Sequence, residues 1–282
     1  MGFVHEPWPE RLELAGTALA ALLFVLLPLE LWRRWRAGRL GRTGCAEMLA
    51  SASPLLPTLL VAGPVVAWVT VVYGVAATLA PWRIPTNAAT VLLALVVVDF
   101  LYYWDHRCAH AFRPYWATCH SVHHSSPQFD QTTGLRVSFV DGFVSPWFYV
   151  PAVLLGFDPA LVIAAFAVII GYQQWLHTEA IGRLRWLDGW LNTPANHRVH
   201  HATQSHYLDR NFGAVLMAWD RLFGTYAPET ETPRYGLTRP LRSSNPWHVH
   251  TIEMARLLED LRGSSDLPDL LRRLVRMPAR RG

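Results

Sequence analysis

The sequence predicts an all-α, polytopic membrane protein with about four to five membrane-embedded helices and a cytoplasmic, histidine-lined helical cap. Three observations support this fold class. Hydrophobic residues make up 51% of the 282 residues, they are concentrated in long blocks, and most of the 13 histidines lie in the polar stretches that follow those blocks. We expect a single domain over residues 1–282, with N-terminal membrane helices over 12–80, a core over 91–226 and a polar C-terminal tail over 227–282.

The first apolar block runs from Leu12 to Trp32, close to the roughly 20 residues that a helix needs to cross a bilayer. Because Glu6 and Glu10 precede the first basic residue, the block does not resemble a cleaved signal peptide, and we expect it to be retained. The arginines that follow it directly predict that this end is cytoplasmic; they are Arg33, Arg34, Arg36, Arg39 and Arg42.

Two more long apolar blocks cover residues 55–80 and 88–104, and prolines near the start of the former predict a kink. A pair of shorter blocks follows at 143–155 and 161–175, separated by a turn signal at 156–159. The first member of that pair is short for a full span, so the pair is expected to form a shallow hairpin. A helical period near 252–261 predicts one helix in the polar tail.

Counting spans from the arginine cluster predicts the side on which each polar stretch lies. If that cluster is cytoplasmic, the second block leads out, the third leads back, and the hairpin leaves and returns on the same side. Every histidine group is then cytoplasmic. The high content of arginine, alanine and leucine indicates a GC-rich bacterial genome, so the expected location is a bacterial inner membrane.

The charge and cysteine patterns exclude two other classes of protein. All basic residues are arginines, and they flank apolar blocks, which favours a membrane protein; we expect no nucleic-acid partner. The three cysteines, Cys45, Cys108 and Cys119, form neither a disulfide framework nor a CxxC metal motif, and they are expected to be packed thiols.

Nine histidines form an ordered series of motifs. On a helix, positions i, i+3 and i+4 share one face, so each HxxHH motif is expected to point its imidazoles in one direction. His5, His206, His248 and His250 lie outside the series and are expected to be ordinary surface or core residues. The series contains HxxxH at His106 and His110, HxxHH at His120, His123 and His124, an isolated His177, and HxxHH at His197, His200 and His201.

This series predicts a metal site. Neutral imidazole binds iron, zinc, copper and nickel, and nine rings exceed what one ion can use, so two ions are expected. A site beside a bilayer meets apolar substrates, and oxidation of a C–H bond with O2 needs a redox metal, for which iron is the usual choice. Gln173, Glu179 and Asn196 lie near the predicted ligands and are candidates to orient them from behind.

The order of these motifs over apolar hairpins resembles the fatty acid hydroxylase / sterol desaturase superfamily. The stretch HRVHHATQSHYLDRNFGAVLMAWDRLFGTY, residues 197–226, is similar to the C-terminal signature of that family. The resemblance implies an integral membrane enzyme that uses O2, two irons bound by the nine histidines, and electrons from an external donor. Relatives that hydroxylate fatty acyl chains tend to carry a tenth histidine where this chain has Gln173.

The resemblance implies hydroxylation of a C–H bond in a membrane lipid, and a desaturase on the same scaffold is the main alternative. A metal-handling membrane protein is an alternative of another class, but it predicts histidines spread along a path through the membrane. No haem-binding or flavin-binding pattern is evident in the chain, so a separate reductase, ferredoxin or cytochrome is expected, docking near Arg33, Arg34 and Arg36. The lipid stays open among sterols, fatty acyl chains, carotenoids, hopanoids and amino-acid lipids.

Overall fold

The computed structural model describes residues 7–275, so His5 and the end of the polar tail lie outside the described residues. Regular structure in this range is helical, with two isolated bridges that join Leu191 to Leu216 and Ala202 to Tyr235. The predicted all-α class is therefore confirmed for the described residues. The α-helices are α1 Trp8–Ala21, α2 Leu23–Arg36, α3 Arg42–Ala52, α4 Leu55–Leu79, α5 Ala88–Ala111, α6 Arg113–Tyr115, α7 Ser121–His124, α8 Asp141–Val144, α9 Val150–Leu154, α10 Pro159–Tyr172, α11 Pro194–His200, α12 Ala218–Leu222, α13 Pro246–Arg262 and α14 Leu267–Val275.

Three helical stretches are long and apolar enough to cross a membrane, as the three long blocks predict. They are Trp8–Arg36, which combines α1 and α2, Arg42–Leu79, which combines α3 and α4, and Ala88–Ala111, which is α5. Large apolar side chains of α4, such as Leu59 and Leu60, stay 73% exposed in the protein alone, which suits contact with lipid. The chain is thus a polytopic helical membrane protein.

Helix α1 packs along α10, and α10 packs against α5. The contact between α1 and α10 is close because it is made by glycines. A Cβ at Gly16 would lie 2.8 Å from the backbone carbon of Ala167, and one at Gly171 would lie 2.6 Å from the carbonyl oxygen of Gly16. Small residues at helix contacts let backbones approach, which is how helices associate inside a bilayer.

The expected shallow hairpin is only partly regular. Its second member is α10, whose N-terminus is capped by the carboxylate of Asp158 and begins with Pro159. Its first member is broken into α8, a 3-10 turn at Ser145–Tyr149, and α9. Pro146 and Pro151, near the starts of the last two pieces, account for the breaks because each lacks an amide hydrogen.

Two buried charged side chains fasten the polar part of the chain to the membrane helices. In α5, the carboxylate of Asp99 accepts hydrogen bonds from the amides of Val215 and Leu216 and from the indole nitrogen of Trp219. The guanidinium of Arg136 donates to Glu47 and Ser51 of α3. These bonds join residues 215–219 to the middle of α5 and the segment at Arg136 to α3.

Candidate metal site

Five segments of the chain deliver the nine histidines. Helix α5 continues past the predicted end at Trp104 to Ala111, so that its last two turns carry His106 and His110. A π-helical turn at Trp116–His120 and the short α7 carry the second motif. His177 follows α10 and a 3-10 turn at Gln173–Trp175, and α11 with the residue after it carries the last motif.

The rings meet in two clusters, within each of which the potential ligand nitrogens lie within 4.8 Å of one another. The clusters adjoin, because the rings of His124 and His201 stack with their centroids 4.3 Å apart. His206, His248 and His250 are in neither cluster. The five-histidine cluster contains His106, His110, His120, His124 and His200; the four-histidine cluster contains His123, His177, His197 and His201.

Distances between Nε2 atoms fit ligands gathered around an ion. They are 3.0 Å for His106 to His120, 3.1 Å for His124 to His200 and 2.9 Å for His177 to His197. Adjacent ligands of an octahedral ion with metal–nitrogen bonds of about 2.1 Å lie about 3 Å apart. The donor set therefore fits two metal ions, and its assignment as ligands stays a prediction.

The protonation state of the rings also suits metal binding. Burial, together with neighbouring imidazoles, lowers the pKa of His123 to about 3. The same two causes lower the pKa of the other cluster rings beyond α5 well below the usual value; these are His120, His124, His177, His197, His200 and His201. Such rings are neutral near pH 7, and neutral imidazole is the form that binds a metal.

In the structure, the rings of each HxxHH motif are divided between the two clusters, whereas the sequence pattern predicted one common direction for them. His123 joins the four-histidine cluster while His120 and His124 join the other, and His200 is separated from His197 and His201 in the same way. Each motif therefore serves both clusters.

The three residues expected to support the ligands have separate surroundings. Gln173 lines the same cavity as His177 and His197, and its Oε1 accepts a hydrogen bond from the hydroxyl of Tyr102. Glu179 accepts one from Arg39, 3.2 Å away, at the surface. Asn196 donates to the carbonyls of Asp188 and Leu191, which fixes the loop ahead of α11. Their proposed role behind the ligands stays a prediction.

A cavity of about 150 Å³ adjoins both clusters. One wall carries rings of both clusters, and Val137, Phe166 and Ile170 contribute apolar surface. A further wall is polar and was not predicted from the sequence. In it, the hydroxyl of Tyr115 lies 2.6 Å from the carboxylate of Asp105 and 3.2 Å from that of Asp141, and Ser145 donates to Asp105. The position of Asp105 beside His106 was the one signal in the sequence.

Comparison with known proteins agrees with this arrangement. Residues 91–225 match the fatty acid hydroxylase family model. An alkylglycerol monooxygenase of Xenopus tropicalis is 41% identical over 169 residues, which are 60% of this chain and 37% of the relative. The ornithine lipid hydroxylase OlsE of Rhizobium tropici is 32% identical over 156 residues, 54% of this chain and 46% of that protein. A Delta(7)-sterol 5(6)-desaturase of Gibberella zeae is 25% identical over 178 residues, 62% of this chain and 47% of that protein.

The chain therefore spans less than half the length of each of these three relatives. No solved structure matches it. The matched residues include all nine clustered histidines, so the resemblance drawn from the motif order is confirmed: residues 91–225 are similar to the fatty acid hydroxylase family.

Proposed function

We propose that this protein hydroxylates a C–H bond of a membrane lipid with O2, using two iron ions bound by the nine clustered histidines. The observation that carries the proposal is the meeting of two clusters of buried imidazoles at one cavity, beside the end of the membrane helix α5. The hydroxylases and monooxygenase among its relatives support the same type of reaction.

Iron, when bound, would supply the redox chemistry that activates O2. The protein's own residues hold the ions, exclude bulk water and place the lipid. Burial of the rings keeps them neutral, and the apolar surface of Val137, Phe166 and Ile170 suits a lipid chain. We further propose that the site lies on the cytoplasmic side of a bacterial inner membrane, as the arginines after the first apolar block predict.

For the substrate we propose a lipid whose head carries hydroxyl groups close to the oxidised carbon. The hydroxyl of Tyr115 has one proton, so it cannot serve Asp105 and Asp141 at the same time. One carboxylate then retains acceptor capacity toward the cavity, which a hydroxyl of the substrate can fill. The name of the Xenopus tropicalis relative makes an alkylglycerol the first lipid to test.

Desaturation is the second candidate, because a sterol desaturase is among the relatives and both reactions begin by removing hydrogen from carbon. Mass analysis of the product separates them. A hydroxylase adds one oxygen atom to the lipid, whereas a desaturase removes two hydrogen atoms.

For the electron source we propose an acidic external reductase, ferredoxin or cytochrome that docks at an arginine-lined groove. Arg33, Arg34 and Arg39 line the groove, together with Phe129 and Tyr235. The ring of Phe129 stacks on that of Tyr235 at 4.8 Å and lies 5.1 Å from that of His201, so the groove floor contacts the four-histidine cluster. The variant Arg39→Glu, which reverses an exposed charge lining the groove, should slow turnover with a protein donor but not with a small chemical reductant. Equal rates with the protein donor would refute this docking site.

The proposed function is tested by comparing the lipids of cells that carry the gene, lack it, or carry a His123→Ala variant. We expect an oxygenated lipid in cells that carry the wild-type gene and not in cells that lack it or carry His123→Ala. The control variant His248→Ala, whose histidine is exposed and outside both clusters, should give the same product as the wild type. A purified protein that binds iron but consumes no O2 with reductant and lipid would instead support the metal-handling alternative.

A further inference from the structure

One short segment, residues 209–213, contacts three of the five rings in the five-histidine cluster from behind. The Nδ1 atom of His106 lies 2.9 Å from the carbonyl oxygen of Phe212, and that of His200 lies 2.9 Å from the carbonyl oxygen of Arg210. A carbonyl only accepts, so Nδ1 must carry the proton in both rings, and Nε2 is left free to bind a metal.

The third contact is made by the side chain of Asp209, whose carboxylate lies 3.5 Å from Nδ1 of His110. Nε2 of the same ring is buried without a hydrogen-bond partner among the described residues, and this ring belongs to the cluster. A carboxylate behind a ligating imidazole fixes the ring and makes it a stronger ligand.

The segment is held in a backbone conformation that few side chains adopt. Asp209 and Asn211 each have a φ of 57°. Asn211 is completely buried and its side chain donates to the carbonyls of Asn196 and Ala227. The buried carboxylate of Asp220 accepts hydrogen bonds from the amides of Phe212 and Gly213. Non-glycine residues at such φ values persist only where the surroundings enforce them, often at functional sites.

Among the described residues, fewer hydrogen bonds contact the rings of the four-histidine cluster from behind. Nδ1 of His197 is buried and has no hydrogen-bond partner in the part of the chain that the structure describes. Nδ1 of His177 faces the backbone of Gly134, where a Cβ would lie only 3.1 Å away. This cluster has one ring fewer, and the side-chain oxygen of nearby Gln173 already accepts from Tyr102.

We propose that residues 209–213 are a positioning segment that makes the two metal positions unequal, so that the five-histidine cluster binds its ion first and more tightly. The inference rests on the metal-binding part of the proposed function and not on the reaction. Preorganised ligands lose less freedom when the ion binds, and the segment preorganises only one of the two clusters.

The test is an anaerobic equilibrium dialysis of the purified full chain, stripped of metal with a chelator, against buffered Fe²⁺. We expect two binding steps of different affinity for the wild type. His201→Ala, which removes a ring of the four-histidine cluster, should abolish the weaker step and retain the tight one. One common dissociation constant, or loss of the tight step in His201→Ala, would overturn the proposal.

The decisive variant is Asp209→Gly, because glycine adopts the required φ while the carboxylate is removed. Loss of this support should weaken the tight step by about 10- to 100-fold and leave the weaker step unchanged. Asp209→Asn retains an acceptor oxygen and tolerates the same φ, so it should lose less affinity. Arg185→Gly is the matched control: Arg185 is exposed, has a φ of 52° and is in neither cluster.

An Asp209→Gly protein that binds like Arg185→Gly, or that weakens both steps equally, would overturn the positioning role. A greater loss in Asp209→Asn than in Asp209→Gly would do the same. Thermal unfolding of the metal-free variants checks that each is folded. A wild type that binds two ions unequally but oxidises no lipid would refute the proposed function and leave this inference intact.

Discussion

The five-histidine and four-histidine clusters are built from the same motifs but are supported differently. Behind the former lies the backbone of residues 209–213, which accepts hydrogen bonds from His106 and His200. Beside the latter lies a side chain: Arg198 of α11 donates to the carbonyls of Thr178 and Ile181 in the segment after His177. Individual rings of the five-histidine cluster are thus oriented by hydrogen bonds, whereas in the four-histidine cluster Arg198 joins two of the segments that carry the rings.

This difference shows what a histidine motif specifies and what it does not. Neighbouring rings in an HH pair, such as His200 and His201, belong to different clusters. The spacing brings three imidazoles to one end of a helix, but it does not determine which cluster each ring joins or which groups contact that ring from behind.

The neighbouring variants His200→Ala and His201→Ala should both abolish activity. His200→Ala should weaken metal binding at the five-histidine cluster, and His201→Ala should weaken it at the four-histidine cluster. Each removes one ligand from one cluster, so we expect lipid product to fall to background in both cases. Each protein should retain the ion of the intact cluster. Metal analysis of the two purified proteins checks this, and two fully retained ions in either variant would contradict the division.

Asp99→Asn should destabilise the protein and loosen the five-histidine cluster. The new amide group would face donors at Val215, Leu216 and Trp219, leaving buried polar groups unpaired at a cost of about 2–3 kcal/mol in the free energy of unfolding. Residues 209–213 lie just ahead of this contact, so the tight metal step should weaken more than the other. Thermal unfolding and metal titration measure the two effects.

Asp158→Asn is the control for Asp99→Asn, because asparagine caps a helix as well as aspartate does. It should leave stability and metal binding near those of the wild type. Equal losses in both variants would show that the substitution acts through charge alone.

Arg198→Lys should affect the four-histidine cluster instead. Arg198 donates two hydrogen bonds of 2.8 Å to Glu229 as well as those to Thr178 and Ile181, and lysine cannot reproduce this fork. We expect a loss of about 1–2 kcal/mol in the free energy of unfolding and a weaker second metal step. Arg272→Lys, which changes an exposed side chain, should change neither the stability nor the metal binding. A selective loss of the tight step in Arg198→Lys would contradict the role of Arg198 at the four-histidine cluster.

Gly134→Ala should have the smallest effect. The added methyl group would lie 3.1 Å from Nδ1 of His177, so the ring must shift by a few tenths of an ångström. We expect a few-fold weaker second metal step and a stability change of about 1 kcal/mol. Gly63→Ala, at a position with open space, is the control and should be neutral or slightly stabilising. Unaltered binding in Gly134→Ala would mean that the ring of His177 is not tightly confined.

Much of the fold was predictable because apolar length and histidine spacing are local properties. The blocks near α2, α4, α5 and α10 lie where the sequence places them, and so does the helix at 252–261. The breaks within 141–154 and the extension of α5 to Ala111 were not predicted, because prolines and packing override the hydropathy pattern there.

The sequence was sufficient to predict which histidines meet at the site, but not how they divide between the two clusters. Nine histidines could be chosen from their spacing, and all nine meet in the structure. The contacts of Asp209, Asn211 and Asp220 could not be inferred, because they join residues whose partners are set by the tertiary fold. The same holds for Asp141, which reaches Tyr115 because α8 packs beside the π-helical turn at Trp116–His120.

The iron content of active wild-type protein tests directly whether the nine histidines bind two iron ions. Elemental analysis of material that consumes O2 with reductant and lipid should find two iron ions per chain, and removal of iron should abolish O2 consumption until Fe²⁺ is restored. Active material that holds zinc in place of iron, or that retains activity with a single ion, would contradict the assignment of the nine histidines to two iron positions.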